Sequence, residues 1–191
     1  MAITIGLFLN PTQMKANNFL DENIDEKYIR VAIEVAQQMW IEPIIGSGIY
    51  DELQTQINAG TLTALNTTLL TDHIQPAMEY WTLYELVEPL LYKFNNKNIA
   101  KKNSDNSSPI ELNEAVHLKN KFKNIAEYKT ERLRLYLIEN ETDYPLYLNP
   151  GTGTDVINPT GSGLVSGSGF YLGKTSTGER EPRTSKYGGN C

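Results

Sequence analysis

Two histidines, one cysteine and a handful of glycine-rich steps are the residues of this chain with types suited to catalysis. His73 and His117 fall on different predicted helices, and neither stands in a pattern that would place it beside a nucleophile. Each reads as a surface residue, His73 as a helix-capping one beside Asp72. Gly151-Thr-Gly-Thr, Gly161-Ser-Gly163 and Gly167-Ser-Gly169 resemble pieces of a phosphate loop, and Gly173-Lys174-Thr175 comes closest. A phosphate-cradling loop needs a second glycine five positions before Gly173, where Ser168 stands, and a helix after it. Neither condition is met, so these steps read as spacer. Metal chemistry has no better footing, because no Cys and His cluster has ligand spacing. Asp21, Glu22 and Asp25 lack the alternating pattern of a calcium loop and suit the start of a helix. No catalytic, cofactor-binding or metal-binding residue is expected.

The chain has 191 residues, room for one ordinary domain, with 40% hydrophobic and 21% charged residues. Its net charge of −6 argues against a general nucleic-acid coat protein. The charge is uneven, since Lys93–Arg134 holds ten basic and five acidic residues. Cys191 is the single cysteine and cannot form an internal disulfide. The apolar start has no basic region before it or cleavage pattern after it, so a signal peptide is not expected. No apolar run reaches the length of a membrane span.

The elements that would position these residues are mostly helical. Met1–Ile24 is an irregular lead-in whose Ile3, Ile5, Leu7 and Leu9 alternate as in an extended arm, stopped by Pro11. Asp25 can cap a helix carrying Tyr28, Ile29, Ala32, Ile33, Ala36 and Trp40, which Pro43 should break. Ser47 can cap a second helix, closed at Asn58-Ala59-Gly60. A third tract, Leu65 to Phe94, is the expected central helix, kinked or split at Pro76 and Pro89. Its Tyr80, Trp81, Tyr84 and Tyr92 sit among leucines and read as core. Ser108-Pro109-Ile110-Glu111 reads as a capping box for the last helix. That helix carries Leu118, Phe122, Ile125, Ala126, Leu133, Tyr136 and Leu137 and ends near Asn140.

From Tyr147 onward the composition changes. Ten of the 14 glycines and three of the nine prolines lie in residues 147–191. So little apolar surface cannot offset the entropy of ordering this segment alone. Yet Val156-Ile157, Leu164-Val165 and Phe170-Tyr171-Leu172 punctuate it, as in an arm that orders against another subunit. With Tyr187 they are the candidate partner contacts. The expected architecture is mainly α: a bundle of four to five helices over residues 25–146, an extended lead-in at 1–24 and a non-autonomous arm at 147–191.

The order of features resembles the head–tail connector proteins of tailed bacteriophages, also called adaptor, ring or head-completion proteins. The likeness is nearest to those of Bacteroidetes-infecting phages, including the crAss-like group. It rests on Asn23-Ile24-Asp25, the run Ala36-Gln37-Gln38-Met39-Trp40-Ile41-Glu42-Pro43-Ile44-Ile45-Gly46, and Ile49-Tyr50-Asp51-Glu52-Leu53. Further on, Ile74-Gln75-Pro76-Ala77-Met78-Glu79-Tyr80, Ala126-Glu127-Tyr128, Arg132-Leu133 and Tyr144-Pro145-Leu146-Tyr147 carry it. It spans about residues 20–148 and leaves out the arm. The resemblance implies a non-enzymatic virion protein, assembled in the host cytoplasm without membrane. It implies a homo-oligomeric ring, a dodecamer, that binds the portal, extends the DNA channel and docks other connector or tail proteins. On that basis Lys119, Lys121, Lys123, Lys129, Arg132 and Arg134 are candidate channel-facing or portal-facing residues, near packaged DNA. The alternative reading is a protein-binding scaffold or regulatory module of the host cytoplasm.

Overall fold

A computed structural model of the chain describes residues 6–94, 99–101, 111–153 and 155–160. The elements run α1 Pro11–Asn17, α2 Glu26–Ala36, α3 Glu42–Ala59, α4 Ala64–Thr68, α5 Gln75–Leu91, β1 Tyr92–Phe94, β2 Ile99–Lys101, α6 Leu112–Glu139 and α7 Pro145–Leu148. The architecture is the expected helical bundle. Helices α2, α3, α5 and α6 build its body, and β1 and β2 add a short antiparallel ribbon.

Proline shapes the helices less by breaking them than by widening the turn in front of them. A proline has no N–H, and its ring crowds the carbonyl four residues earlier. Gln37–Ile41 and Leu69–Ile74 are π-helical turns, and each leads into a helix with proline in its first turn, Pro43 and Pro76. The expected break at Pro43 is therefore absent. The chain turns instead at Gly46, whose φ of 77° and ψ of 157° lie outside helical space. Pro89 sits inside α5, two residues before its end. Gly60 closes α3 in the left-handed conformation, as its position after Asn58-Ala59 implies.

Helix α5 is central. It buries Ala77, Met78, Trp81, Leu83 and Leu86 against α2 and α6. Trp81 stacks on Trp40 with ring centroids 3.9 Å apart and planes 2° apart. Its indole N–H donates to Thr130 Oγ1 at 2.9 Å, which satisfies the one polar atom this ring brings into the core.

Two boundaries differ from expectation. From residue 6 onward the lead-in is not a separate arm; Ile3 and Ile5 lie outside the described residues. Phe8, Leu9 and Met14 are buried in the main core, and α1 begins at Pro11 with Asn10 accepting from the Thr12 N–H. Pro11 thus starts a helix, because its missing N–H costs nothing in a first turn. Residues 6–8 are clasped by amide side chains. Gln54 bonds both the N–H and the carbonyl of Gly6, each at 2.7 Å. Gln37 accepts from the Phe8 N–H at 2.9 Å and donates to the Gly6 carbonyl at 3.1 Å, while Gln75 donates to the Phe8 carbonyl at 2.9 Å. Helix α6 starts later than expected. Glu111 is its N-cap, with extended backbone, and forms the capping box with Glu114, so Glu111 is not in a first turn capped by Ser108. Ser108 and Pro109 lie outside the described residues.

Candidate functional site

The body continues past Tyr147. That side chain is fully buried, and residues 145–153 and 155–160 form a strap along α3. Two glycines make room for it. A Cβ on Gly48 would lie 2.7 Å from Pro150 Cα and 2.9 Å from the Leu146 carbonyl oxygen. One on Gly46 would lie 2.7 Å from Pro159 Cγ. With that clearance, Ser47 N–H donates to the Ile157 carbonyl at 3.0 Å, Ile157 N–H donates to Ser47 Oγ at 3.1 Å, and Thr160 N–H donates to the Pro43 carbonyl at 2.8 Å. The Ser47 hydroxyl, expected to cap a helix, fastens the strap instead. Val156 and Ile157, expected to meet another chain, therefore belong to a segment anchored on their own. Val156 is half-buried and Ile157 is 38% exposed. Leu164, Val165, Phe170, Tyr171, Leu172 and Tyr187 lie outside the described residues.

A second feature lies across α5 and α6. Leu118, Phe122 and Ile125 recur at helical spacing but do not share the direction of Ala126, Thr130, Leu133 and Leu137, which α6 turns into the core. They face Tyr80, Val87, Leu90 and Leu91 of α5 across an open groove of about 580 Å³, with Phe19 and Leu20 at its edge. Phe19 is 88% exposed, and among the described residues Lys121 is the one charged lining residue. The sequence places Leu118, Phe122 and Ile125 among the apolar positions of this helix without separating them by direction. Residue size does not separate the two directions, because Leu133 and Leu137 face the core beside Ala115, Ala126 and Thr130.

The basic candidates of α6 do not form one face. Lys119 donates to Glu88 at 2.7 Å and lies 4.4 Å from the Tyr84 ring centroid. Burial opposes its charge, but the Glu88 bond and carboxylate outweigh burial and hold the ammonium above its ordinary range. Lys123 pairs with Glu127 at 3.5 Å. Arg134 pairs with Glu131, which raises the guanidinium and lowers the carboxyl. These three lie on one side of the helix. Lys121, Lys129 and Arg132 fall on another, with Lys129 5.8 Å from the Tyr80 ring centroid and Arg132 exposed.

Residues 41–157 match a family of unknown function, DUF6712. The chain belongs to that family. No curated protein matches it. No solved structure matches it either. The DUF6712 segment ends at Ile157, the residue that meets Ser47, so the strap lies within it up to that bond, and residues 158–160 and 161–191 do not.

Within the DUF6712 segment, His73 is stacked on Tyr136 at 3.7 Å, and Tyr136 meets Tyr144, hydroxyl to hydroxyl, at 3.3 Å. Burial lowers the His73 imidazolium below its usual range; Asp72 opposes this and Arg132 adds to it. Burial, then the Tyr136 hydroxyl, pushes Tyr144 well above the ordinary phenol range. This cluster ties α6 to the turn before α5, a packing role rather than the expected surface cap. His117 is exposed, as expected. Outside the matched segment, Asp21 accepts from Asn23 and Asp25 caps α2, so the acidic group serves a turn and a helix start. Among the described residues no group of His, Cys, Asp and Glu is placed to hold a metal ion, and no helix is long and apolar enough to cross a membrane.

Proposed function

We propose that the protein is a structural subunit of a phage head–tail connector: a ring between portal and tail that extends the DNA channel and docks tail components. The observation that carries this reading is the anchored strap. Its bonds to Ser47 and Pro43 fix the point from which residues 161–191 leave the helical body. A ring subunit needs two different surfaces that meet by rotation, and an arm with a fixed exit supplies one of them. The arm's ordering cost is then met on assembly rather than on folding. The resemblance over residues 20–148 points to the same class. The reading assigns no catalytic role and no cofactor. Among the basic candidates, Arg132 is best placed to face the channel or the portal, because Lys119, Lys123 and Arg134 are engaged with carboxylates of their own chain and Lys121 lines the groove between α5 and α6.

Mass measurement and negative-stain imaging of the protein, alone and mixed with a phage portal protein, test the proposal. A closed ring seated on the portal is expected. A complex with a host cytoplasmic protein and none with portal would support the scaffold reading instead.

A further inference from the structure

We infer that the groove between α5 and α6 receives the Phe170-Tyr171-Leu172 segment of a neighbouring copy's arm. The choice of a neighbouring copy rests on the ring reading above; the match of groove to segment does not.

The groove has the size of a ligand pocket, about 580 Å³, and its lining is apolar except for Lys121. Its mouth carries Phe19, almost fully in water, and Leu118 is also exposed. An open apolar concavity with a charged rim marks a surface that another chain covers. The sequence names an occupant. Residues 161–191 follow the last strap bond at Thr160, and Phe170-Tyr171-Leu172 is their longest apolar run. A phenyl and an isobutyl group suit a slot walled by Val87, Leu90, Phe122 and Ile125. Tyrosine, apolar in body and polar at its tip, suits a rim holding a lysine.

The connecting chain is longer than the groove wall. Phe170 lies ten residue steps after Thr160, and an extended chain covers roughly 33–36 Å over that length. That exceeds the ~26 Å length of the 17-residue α5. The intervening Gly161-Ser162-Gly163 and Gly167-Ser168-Gly169 have linker composition. Arm and groove are different surfaces of one chain, so their contact is heterologous and repeats around a ring.

The test uses two full-length variants. One carries Phe170→Ser, Tyr171→Ser and Leu172→Ser and keeps its groove. The other carries Ile125→Glu and keeps its arm. Each is expected to be monomeric alone, and an equimolar mixture to give a one-to-one heterodimer and nothing larger, read by sedimentation. A labelled peptide of residues 161–175 should bind the first variant and bind the same chain about tenfold or more weakly once Ile125→Glu is added. Leu118→Glu, at a more exposed position, repeats the test if Ile125→Glu lowers the melting temperature. A mixture that stays monomeric overturns the inference, and so does a parent chain that stays monomeric while the mixture pairs, because each arm then occupies its own groove. So does peptide binding unaffected by the groove substitutions. A ring on the portal that persists with Ile125→Glu also overturns it and leaves the connector reading standing. A heterodimer without any portal complex does the reverse.

Discussion

Ser47 and Ile157, 110 residues apart in sequence, exchange a pair of hydrogen bonds: backbone N–H to carbonyl at 3.0 Å in one direction, backbone N–H to Oγ at 3.1 Å in the other. This pair converts the first part of a glycine-rich tail into a fixed strap.

Gly46→Ala should release that strap. The backbone at Gly46 occupies a region that other residues enter at about 1–3 kcal/mol, and the new Cβ would press on Pro159. For a chain of this length that is a drop of about 2–4 °C in melting temperature per kcal/mol. Limited proteolysis should also reach residues 150–160. Gly60→Ala is the comparison: its φ of 66° is strained too, but nothing lies within 4 Å, so the strap should stay protected. Equal protease resistance in the Gly46→Ala protein and the parent would count against the clamp.

Gln37→Leu should loosen the N-terminal segment without unfolding the bundle. It strands the Phe8 N–H and removes one bond to the Gly6 carbonyl, at about 1–3 kcal/mol for a buried group left unpaired. Hydrogen exchange at Phe8 should accelerate, while amides in the middle of α5 keep their protection. Unchanged exchange at Phe8 would show that Gln54 and Gln75 hold the segment alone.

His73 should give stability a pH dependence. Burial lowers its folded value below the ordinary 6.5, so the unfolded chain binds the proton more readily. The stability it contributes is present above about 6.5 and is lost as pH falls from there through the folded value. His73→Phe keeps the ring against Tyr136 and removes the titration. Urea unfolding at pH 5.0 to 7.5 should show a shallower pH slope for the variant; identical slopes would refute the assignment.

Much of the fold was legible. The Asp25 cap, the Gly60 stop, the buried α5 and the end of α6 near Asn140 all follow local rules of capping and periodicity. What was not legible depends on contacts between distant segments. Gly46 and Gly48 flank a serine that reads as a helix cap, and only the approach of Pro150 and Pro159 shows why side chains are excluded there. Pro11 and Pro43 read as stops because proline's two preferences, ending one helix and starting the next, look alike in one dimension. The groove escaped because Leu118, Phe122 and Ile125 have helical spacing whether they face a core or water. The basic stretch of α6 was visible as a charge count, but its partners Glu88, Glu127 and Glu131 appear only when side chains are placed.

Truncation after Thr160 should separate folding from assembly. The buried core lies within residues 8–147 and the last strap bond is at Thr160. The shortened chain should therefore melt within about 2–4 °C of the full one, equivalent to about 1 kcal/mol at this size. It should fail to join a ring. Truncation after Asn149, which removes the bonds to Ser47 and Pro43, should cost stability as well. Equal melting of the two truncated chains would mean that the strap adds nothing to the fold.

The most direct measurement is imaging of the full chain mixed with its portal, followed by the same imaging with the chain ending at Thr160. The connector account predicts a closed ring seated on the portal in the first mixture and no ring in the second. A chain that stays monomeric in every mixture, and is absent from purified particles, would contradict it.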